Sequence, residues 1–211
     1  MIIETFTVNP FQQNTFAIFK DRECVLIDAG FSKASEINLF TDALREHKCE
    51  LKAIWLTHAH IDHVIGVQRI IDRYDVPVFL SHRDLYLWQN YYAQASFYGL
   101  RAEPFDFIPN DFAEKDPFKF GAFKCTVLET PGHSPDHVSF YFPDENVLFA
   151  GDTLFDGSIG RTDLYKGNFQ TLENVIKTKL YTLPEQTRVF SGHGGETLIG
   201  QEKEHNQFVR A

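Results

Sequence analysis

The sequence predicts a mixed α/β fold in which helices cover β-sheets. Short apolar segments with strand character alternate with amphipathic helical segments, which is the pattern of strands joined by helical crossovers. The two halves of the chain also share an outline: each has a strand meander, a helix and then a strand that ends at a histidine. Two mixed sheets placed back to back with helices outside fit this outline, and the periodicity permits that arrangement without establishing it.

The first half of the chain predicts three short strands, a helix and a βαβ unit. The segments MIIETFTV, NTFAIFK and ECVLIDAG have strand composition and are separated by turns at residues 9–10 and 21–22. A helix follows in SKASEINLFTDALREHK, for which Ser32 or Ser35 is the expected capping residue. LKAIWLT is then a buried strand, VIGVQRIIDRY a helix and VPVFLS the next strand.

The segment Asp84–Phe107 departs from this pattern and is rich in Tyr, Phe and Trp. Two interpretations stay open: a helical excursion that packs on the sheet, or a lid whose aromatic side chains line a pocket. After Asp116 the strand signals return in PFKFG, FKCTVLET, HVSFYF, NVLFAGD and TRVFSG, with helices in FQTLENVIKTKLYTL and GQEKEHNQFV. No repeat or linker interrupts the pattern, so we expect residues 1–211 to form a single domain.

Composition excludes several classes of protein. A net charge of −9 argues against a nucleic-acid or anionic membrane partner. The sequence has no signal-peptide pattern and no run of about 20 apolar residues that would span a bilayer. Three scattered cysteines without CxxC spacing favour reduced thiols in a cytoplasmic protein. The sequence gives no indication of oligomeric state.

Four metal-ligating side chains crowd the segment THAHIDHVIG, directly after a predicted strand. They are His58, His60, Asp62 and His63. Several imidazoles beside a carboxylate favour binding of a divalent cation. Since His58 and His60 are two residues apart, both project to one side of an extended loop and can hold one ion.

Further candidates follow three other predicted strands: His133 in LETPGHSPDH, Asp152 in VLFAGDTLF and His193 in VFSGHGGE. Loops at strand ends converge in sheet proteins covered by helices. Five histidines and two aspartates suffice for two cations that share a bridging carboxylate. His137 lies close to His133 but begins a strand, so we expect it to have a supporting or structural role.

These motifs resemble the metallo-β-lactamase fold superfamily, and the resemblance covers nearly the whole chain. VLIDAG, THAHIDHVIG, TPGHSPDHV, FAGDTLF and SGHGGETLIGQEKEHN occur in the order of that family. NPFQQNTF and DGSIGRTDL resemble the short, single-domain glyoxalase II-like (hydroxyacylglutathione hydrolase-like) branch. Asp136 departs from the family pattern, which has Gly at that position. Two-domain glyoxalase II enzymes bind glutathione with a separate C-terminal helical domain, and we expect no such domain here.

The resemblance implies an αββα four-layer sandwich, with two mixed sheets flanked by helices and two divalent metals at a sheet edge. It assigns the ligands as follows: His58, His60 and His133 on one metal; Asp62, His63 and His193 on the other; and Asp152 as the bridging carboxylate. Asp62 and Asp152 thereby become the expected catalytic residues, and Asp28 the residue that orients ligands by hydrogen bonding. Zinc is the expected metal, and iron and manganese also suit His and Asp ligands.

The implied reaction is hydrolysis of a thioester such as S-lactoylglutathione by a metal-bridging hydroxide. A thiolate with a pKa near about 8.5 departs without much acid help, whereas the amine of a β-lactam needs a proton. Two alternatives stay open: a mononuclear-iron oxygenase resembling persulfide dioxygenases, and a non-catalytic metal-binding or interaction protein.

Three residues after Asp152 are candidate substrate contacts: Arg161, Tyr165 and Lys166. Arg161 either meets a substrate carboxylate or pairs with Asp163 or another buried carboxylate to hold its loop. Tyr165 and Lys166 either touch a peptide-like arm of the substrate or are surface residues.

Overall fold

The computed structural model describes residues 1–102, 105–112 and 117–210. The chain divides into two compact units, and each is described by itself. Unit 1 comprises Met1–Phe112 with Lys119–Phe123, and unit 2 comprises Ala113–Phe118 with Lys124–Ala211. That residues 1–211 form a single domain stays a prediction.

Unit 1 is built on a five-stranded mixed sheet with its strands in chain order. They are β1 (Ile2–Val8), β2 (Gln13–Lys20), β3 (Glu23–Ile27), β4 (Glu50–Trp55) and β5 (Val78–Phe79). The first three strands are antiparallel, and β3, β4 and β5 are parallel to one another. Tight turns suffice for the antiparallel strands, whereas each parallel pair needs a helical crossover. This agrees with the predicted strand meander followed by a βαβ unit.

The hairpin between β2 and β3 turns at Asp21 and Arg22, as the sequence predicts. Both residues have left-handed backbone conformations, with φ of 51° and 66°. Two consecutive left-handed residues form the type I′ turn, whose twist matches that of the strands it joins.

Five helices belong to unit 1: α1 (Ala34–Glu46), α2 (Ile61–Val64), α3 (Val67–Tyr74), α4 (Tyr86–Gln89) and α5 (Tyr91–Phe97). The prediction that Ser32 or Ser35 caps α1 is wrong, because Lys33 occupies the cap position. The carboxylate of Glu36, the third residue of α1, accepts the backbone N–H groups of Ser32 and Lys33 and so holds the residues that lead into the helix.

The aromatic segment Asp84–Phe107 contains α4 and α5, and its residues 103–104 lie outside the described residues. The rings of Trp88 and Tyr91 are buried, and each stacks on Phe105 with ring centroids 4.0 Å apart. These contacts join residues of the same segment, so both interpretations of the segment stay predictions. In the part of the chain that the structure describes, no helix combines the length and the apolar character required to cross a bilayer.

Unit 2 is built on a larger sheet in which β13-β12-β9-β8-β7 are neighbours in that order. Its strands are β7 (Phe123–Glu129), β8 (Val138–Phe142), β9 (Val147–Gly151), β12 (Arg188–Ser191) and β13 (Thr197–Leu198). The short strand β6 (Phe118–Phe120) precedes them in the chain, and two of its three residues belong to unit 1. A small hairpin pairs β10 (Leu154–Phe155) with β11 (Ser158–Ile159). Strands β7, β8 and β9 are antiparallel, while β12 is parallel to β9. Two large mixed sheets with helices agree with the predicted fold class.

The helices of unit 2 cover an apolar cluster on its sheet. They are α6 (Phe169–Val175), which continues as a π-helical turn (Ile176–Leu180), and α7 (Ile199–His205). Leu172, Ile176 and Leu180 are fully buried against Leu148 of β9 and Val189 of β12. The period of these residues matches one face of a helix, and burial of that face holds the helix on the sheet.

A buried carboxylate fastens α7 to the rest of unit 2. Glu202 accepts the backbone N–H of Gly157 at 3.0 Å, the hydroxyl of Thr197 at 2.6 Å and the side-chain amide of Asn206 at 2.7 Å. Because the carboxylate is almost fully buried, each donor left without it would be desolvated without compensation.

Glu202→Gln should lower the free energy of unfolding by about 1–3 kcal/mol, because an amide cannot accept from all these donors. Urea unfolding monitored by far-UV circular dichroism measures the change. The matched control is Glu204→Gln on the exposed face of the same helix, which should leave the midpoint unchanged. Equal midpoints for both variants would contradict a fastening role for Glu202.

Candidate metal centre

The histidine cluster of unit 1 forms as its spacing predicts. The segment Thr57–Gly66 leaves the end of β4 and enters α2. The rings of His58 and His60 have centroids 4.7 Å apart, and those of His58 and His63 have centroids 4.2 Å apart. All three imidazoles are buried. Asp62 lies in the first turn of α2, with a carboxylate oxygen 3.6 Å from Nε2 of His63.

The carboxylate of Asp28 holds this loop in place. Asp28 directly follows β3, has a left-handed φ of 56° and is 1% exposed. Its Oδ1 accepts the backbone N–H of Thr57 at 2.8 Å, and its Oδ2 accepts the Thr57 hydroxyl at 2.8 Å. Oδ2 also lies 2.8 Å from Nδ1 of His63. The prediction that Asp28 orients metal ligands stays a prediction, and these are the contacts through which it would do so.

These hydrogen bonds determine which nitrogen of each ring carries the proton. A carboxylate only accepts, so Nδ1 of His63 must donate to Asp28. The Thr57 hydroxyl donates to Asp28 and therefore accepts from Nδ1 of His58, which lies 2.9 Å away. In the neutral ring of either histidine, Nε2 then has a lone pair directed away from the Asp28 network.

Two contacts that the sequence did not predict support the same loop. The amide of Asn9 donates to the backbone oxygens of Gly30 and Asp62, each at 2.9 Å. The amide of Gln94 in α5 donates to the backbone oxygen of Ala59, between the first two histidines, at 3.0 Å. A Cβ at Gly30 would lie 2.4 Å from the Asp62 oxygen, so the close approach requires glycine there. Only the NPFQQNTF motif, which contains Asn9, gave a signal for any of these contacts.

Unit 2 brings together the other three predicted ligands. His133, Asp152 and His193 follow β7, β9 and β12. Oδ2 of Asp152 lies 3.5 Å from Nε2 of His133 and 3.5 Å from Nε2 of His193. Ligand atoms about 2.1 Å from a tetrahedral ion lie about 3.4 Å from one another. The spacing therefore fits atoms that share an ion.

The DGSIGRTDL loop orients His133. Nδ1 of His133 lies 2.8 Å from the backbone oxygen of Arg161 and must donate to it, which leaves the lone pair of the neutral ring on Nε2. The loop also passes close to Asp152 at Gly160. Glycine is required there, because a Cβ at this position would lie 1.8 Å from the backbone oxygen of Asp152. Asp136, which departs from the family pattern, is buried and accepts the Ser134 hydroxyl at 2.7 Å, so its carboxylate holds the loop that carries His133.

The guanidinium of Arg161 pairs with Asp163, one of the two alternatives that the sequence left open. Two parallel hydrogen bonds of 2.7 and 2.8 Å join them, and they hold the pKa of the Asp163 carboxyl at about 2. Both side chains are more than half exposed. The Lys166 ammonium lies 5.2 Å from the centre of the Tyr165 ring.

The remaining histidines have other contacts. Nε2 of His137 accepts the backbone N–H of Asp152, in agreement with the expected supporting role. His47 pairs with Glu4, Nε2 of His82 donates to the backbone oxygen of Pro109, and His205 is exposed beside Glu204.

Both units therefore offer donors that suit a divalent cation. Three imidazoles present an Nε2 lone pair, and carboxylates of Asp62 and Asp152 lie within 3.6 Å of an imidazole nitrogen in their own unit. Nitrogen and oxygen donors without thiolate suit zinc, iron and manganese alike. The side chains thus fit the metal group that the fold family implies.

Comparison with known proteins agrees with this geometry. The family model described as the metallo-beta-lactamase superfamily matches residues 8–193. The "Probable metallo-hydrolase YqgX" of Bacillus subtilis (strain 168) is 38% identical, with 96% of this chain and 94% of that protein covered. The "Hydroxyacylglutathione hydrolase GloC" of Haemophilus influenzae (strain ATCC 51907 / DSM 11121 / KW20 / Rd) is 35% identical, with 100% and 99% covered.

Two solved structures are also similar along their whole length. The crystal structure of BLEG-1 B3 metallo-beta-lactamase has a TM-score of 0.89 and 35% identity, with 100% of both chains covered. The crystal structure of TTHA1623 in a di-iron-bound form has a TM-score of 0.85 and 36% identity, with 98% of this chain and 100% of that chain covered.

The chain belongs to the metallo-β-lactamase superfamily, and its predicted fold class is confirmed. Its relatives further identify it as a metallo-hydrolase of that superfamily.

Asp28→Asn should weaken metal binding about 10–100-fold, because the amide cannot accept from Thr57 and His63 together. Competition with a chromophoric zinc chelator measures the affinity. Asp42→Asn, at an exposed position on α1 of the same unit, is the matched control and should bind metal like the wild type. Equal affinities for the two variants would show that Asp28 does not orient the ligands.

Arg161→Gln should raise the pKa of Asp163 from about 2 toward about 3.9, because the guanidinium no longer stabilises the carboxylate. Since the folded-state pKa is depressed, any stabilisation by the pair is present above about pH 4 and is lost as the pH falls toward 2. Carboxyl NMR titration measures the pKa. Arg188→Gln, which removes the similar pair with Glu196, should leave Asp163 unchanged. An unshifted pKa in Arg161→Gln would mean that the pair does not persist in solution.

Proposed function

We propose that this chain is a glyoxalase II-like thioesterase, which hydrolyses S-lactoylglutathione or a related acyl thiol. The observation that carries the proposal is the fixed orientation of His58, His63 and His133, whose Nδ1 atoms donate to protein acceptors and whose Nε2 atoms suit a metal. Similarity to a hydroxyacylglutathione hydrolase over the whole chain supports the thioester specificity.

The proposed centre holds two divalent ions. We assign one ion to His58, His60 and His133, the other to Asp62, His63 and His193, and the bridging carboxylate to Asp152. The order of the motifs along the chain supports this assignment, as does the donor geometry inside each unit. Zinc is the proposed metal, and the di-iron form of a related structure makes iron the first alternative.

Bound divalent ions would activate water as a nucleophile at neutral pH and polarise the thioester carbonyl. The residues of the chain supply the rest of the chemistry. Asp28, through Thr57, and the backbone of Arg161 keep the imidazoles in the tautomer that binds metal. A thiolate leaves without a proton donor, which suits the carboxylates assigned to Asp62 and Asp152, since both would act as ligands rather than as acids.

Substrate recognition is assigned to the loop after β11. An exposed pair such as Arg161 with Asp163 contributes little to stability, so its guanidinium can exchange Asp163 for a substrate carboxylate at small cost. We assign Tyr165 and Lys166 to the peptide-like arm of the substrate. A small-molecule substrate, a single domain and a cytoplasmic location complete the proposal.

One observation favours a second candidate function, hydrolysis of β-lactams. The B3 metallo-β-lactamase structure named above covers the whole chain at 35% identity. A lactam amine needs a proton to leave, which makes thioesters the better substrate for the residues assigned here. Parallel assays with S-lactoylglutathione and a chromogenic cephalosporin compare the two directly: faster hydrolysis of the cephalosporin would overturn the thioester assignment.

Asp152→Ala should lose bound metal and nearly all turnover while the fold survives, because the variant lacks the proposed bridging carboxylate. Metal content by plasma mass spectrometry, thiol release and circular dichroism measure the three properties. Asp156→Ala, in the turn between β10 and β11, is the matched control and should keep metal and activity. Turnover retained in Asp152→Ala would contradict the assignment. One iron per chain with oxygen uptake would favour the oxygenase alternative, and full metal occupancy without turnover would favour a binding protein.

A further inference from the structure

A chain of buried hydrogen bonds starts at the backbone of Ala150 near the end of β9 and returns to the backbone of Asp152 through three side chains of unit 2. The Ser139 hydroxyl donates to the backbone oxygen of Ala150 at 3.2 Å. Ser139 lies 2.9 Å from the Thr130 hydroxyl, which lies 2.9 Å from Nδ1 of His137. Nε2 of His137 then accepts the backbone N–H of Asp152 at 2.9 Å. The side chains of all three linking residues are fully buried.

The two ends of the chain fix every proton within it. The Asp152 N–H can only donate, so Nε2 of His137 carries no proton and the neutral ring is protonated at Nδ1. The Ala150 oxygen can only accept, so the Ser139 hydroxyl donates to it and accepts from Thr130. The Thr130 hydroxyl therefore accepts from Nδ1 of His137, and the Thr153 hydroxyl is a second acceptor at 3.2 Å. One tautomer of His137 satisfies all of these contacts.

We propose that His137 is a positioning residue, which sets the direction of the Asp152 carboxylate by holding the Asp152 peptide group. The importance of Asp152 as a metal ligand rests on the proposed function, whereas the hydrogen bonds do not. Protein groups lie at both ring nitrogens of His137, so it would act through the backbone N–H of Asp152 and not as a metal ligand.

The backbone at the end of β9 makes such an anchor necessary. Gly151 has a left-handed φ of 51°, so the chain leaves the strand abruptly just before Asp152. The Thr153 N–H donates to the Ala150 oxygen at 3.2 Å, and the Gly192 N–H donates to the Gly151 oxygen at 2.8 Å. With the His137 contact, the peptide groups on both sides of Gly151 are fixed. Rotation of the Asp152 peptide would move its Oδ2, which lies 3.5 Å from both His133 and His193.

The test compares three variants in zinc-loaded protein. His137→Gln keeps an acceptor oxygen near the place of Nε2, His137→Phe keeps the ring volume without any acceptor, and His205→Gln is the matched control on the exposed end of α7. We expect metal affinity to fall about 10–100-fold in His137→Phe, to recover partly in His137→Gln and to stay unchanged in the control. The kcat should fall with metal affinity, while KM stays within about twofold of the wild type because substrate contacts are untouched.

Cobalt substitution and NMR give two further measurements. Substitution of a residue that only stabilises the fold would leave both signals unchanged. The visible ligand-field bands of the cobalt-loaded protein should shift in His137→Phe and return toward the wild type in His137→Gln. In a long-range ¹H–¹⁵N spectrum of histidine-labelled wild type, one Nδ1-protonated ring should vanish in His137→Gln. The NMR signal of the tautomer does not depend on enzymatic activity. It can be measured even if His137→Phe does not fold.

Three results would overturn the proposal: an Nε2-protonated His137, unchanged metal affinity and cobalt bands in a folded His137→Phe, or equal losses in both His137 variants. If wild-type protein binds metal but releases no thiol, the proposed thioesterase function fails, while the tautomer, affinity and cobalt results still decide the role of His137.

Discussion

The buried carboxylate of Asp28 is the interaction on which the histidine cluster depends. It joins the end of β3 to the loop after β4, because it accepts both the backbone and the hydroxyl of Thr57. It also fixes two imidazole tautomers, His63 directly and His58 through Thr57. A neutral imidazole can bind a metal only through its unprotonated nitrogen, so the position of one carboxylate decides which ring nitrogens of the cluster have a lone pair for a metal.

In unit 2, different groups fix the tautomers of the imidazole rings. The backbone oxygen of Arg161 takes the Nδ1 proton of His133, and the Thr130 hydroxyl takes that of His137. In His133 the lone pair on Nε2 suits a metal, whereas in His137 it accepts the backbone N–H of Asp152. Two histidines four residues apart with the same tautomer thus have different roles, because different partners lie at Nε2.

Residues in loops at strand ends were predictable from the sequence, because ligands cluster there and follow recognisable strands. His58, His60, Asp62 and His63 lie in one short segment, and Asp28 was found through the VLIDAG motif. Gln94 and Ser139 were not predictable, because they act on backbone groups distant in sequence and have no characteristic spacing. For Asn9, only the NPFQQNTF motif gave a signal. The cap of α1 was mispredicted, because Lys33 is the cap residue and Glu36 accepts the backbone N–H groups of Ser32 and Lys33 that lead into the helix. No sequence pattern indicates the partner of an exposed arginine, so the sequence left the partner of Arg161 open and the structure supplied it.

The most direct test of the proposed two-metal thioesterase is the metal content of freshly purified protein, measured together with thiol release from S-lactoylglutathione. A two-metal thioesterase should contain close to two divalent ions per chain, and its thiol release should stop when a chelator removes them. One iron per chain, with no thiol release and with oxygen uptake in the presence of a persulfide, would contradict it. The same histidines and aspartates would then have to be assigned to oxygen chemistry.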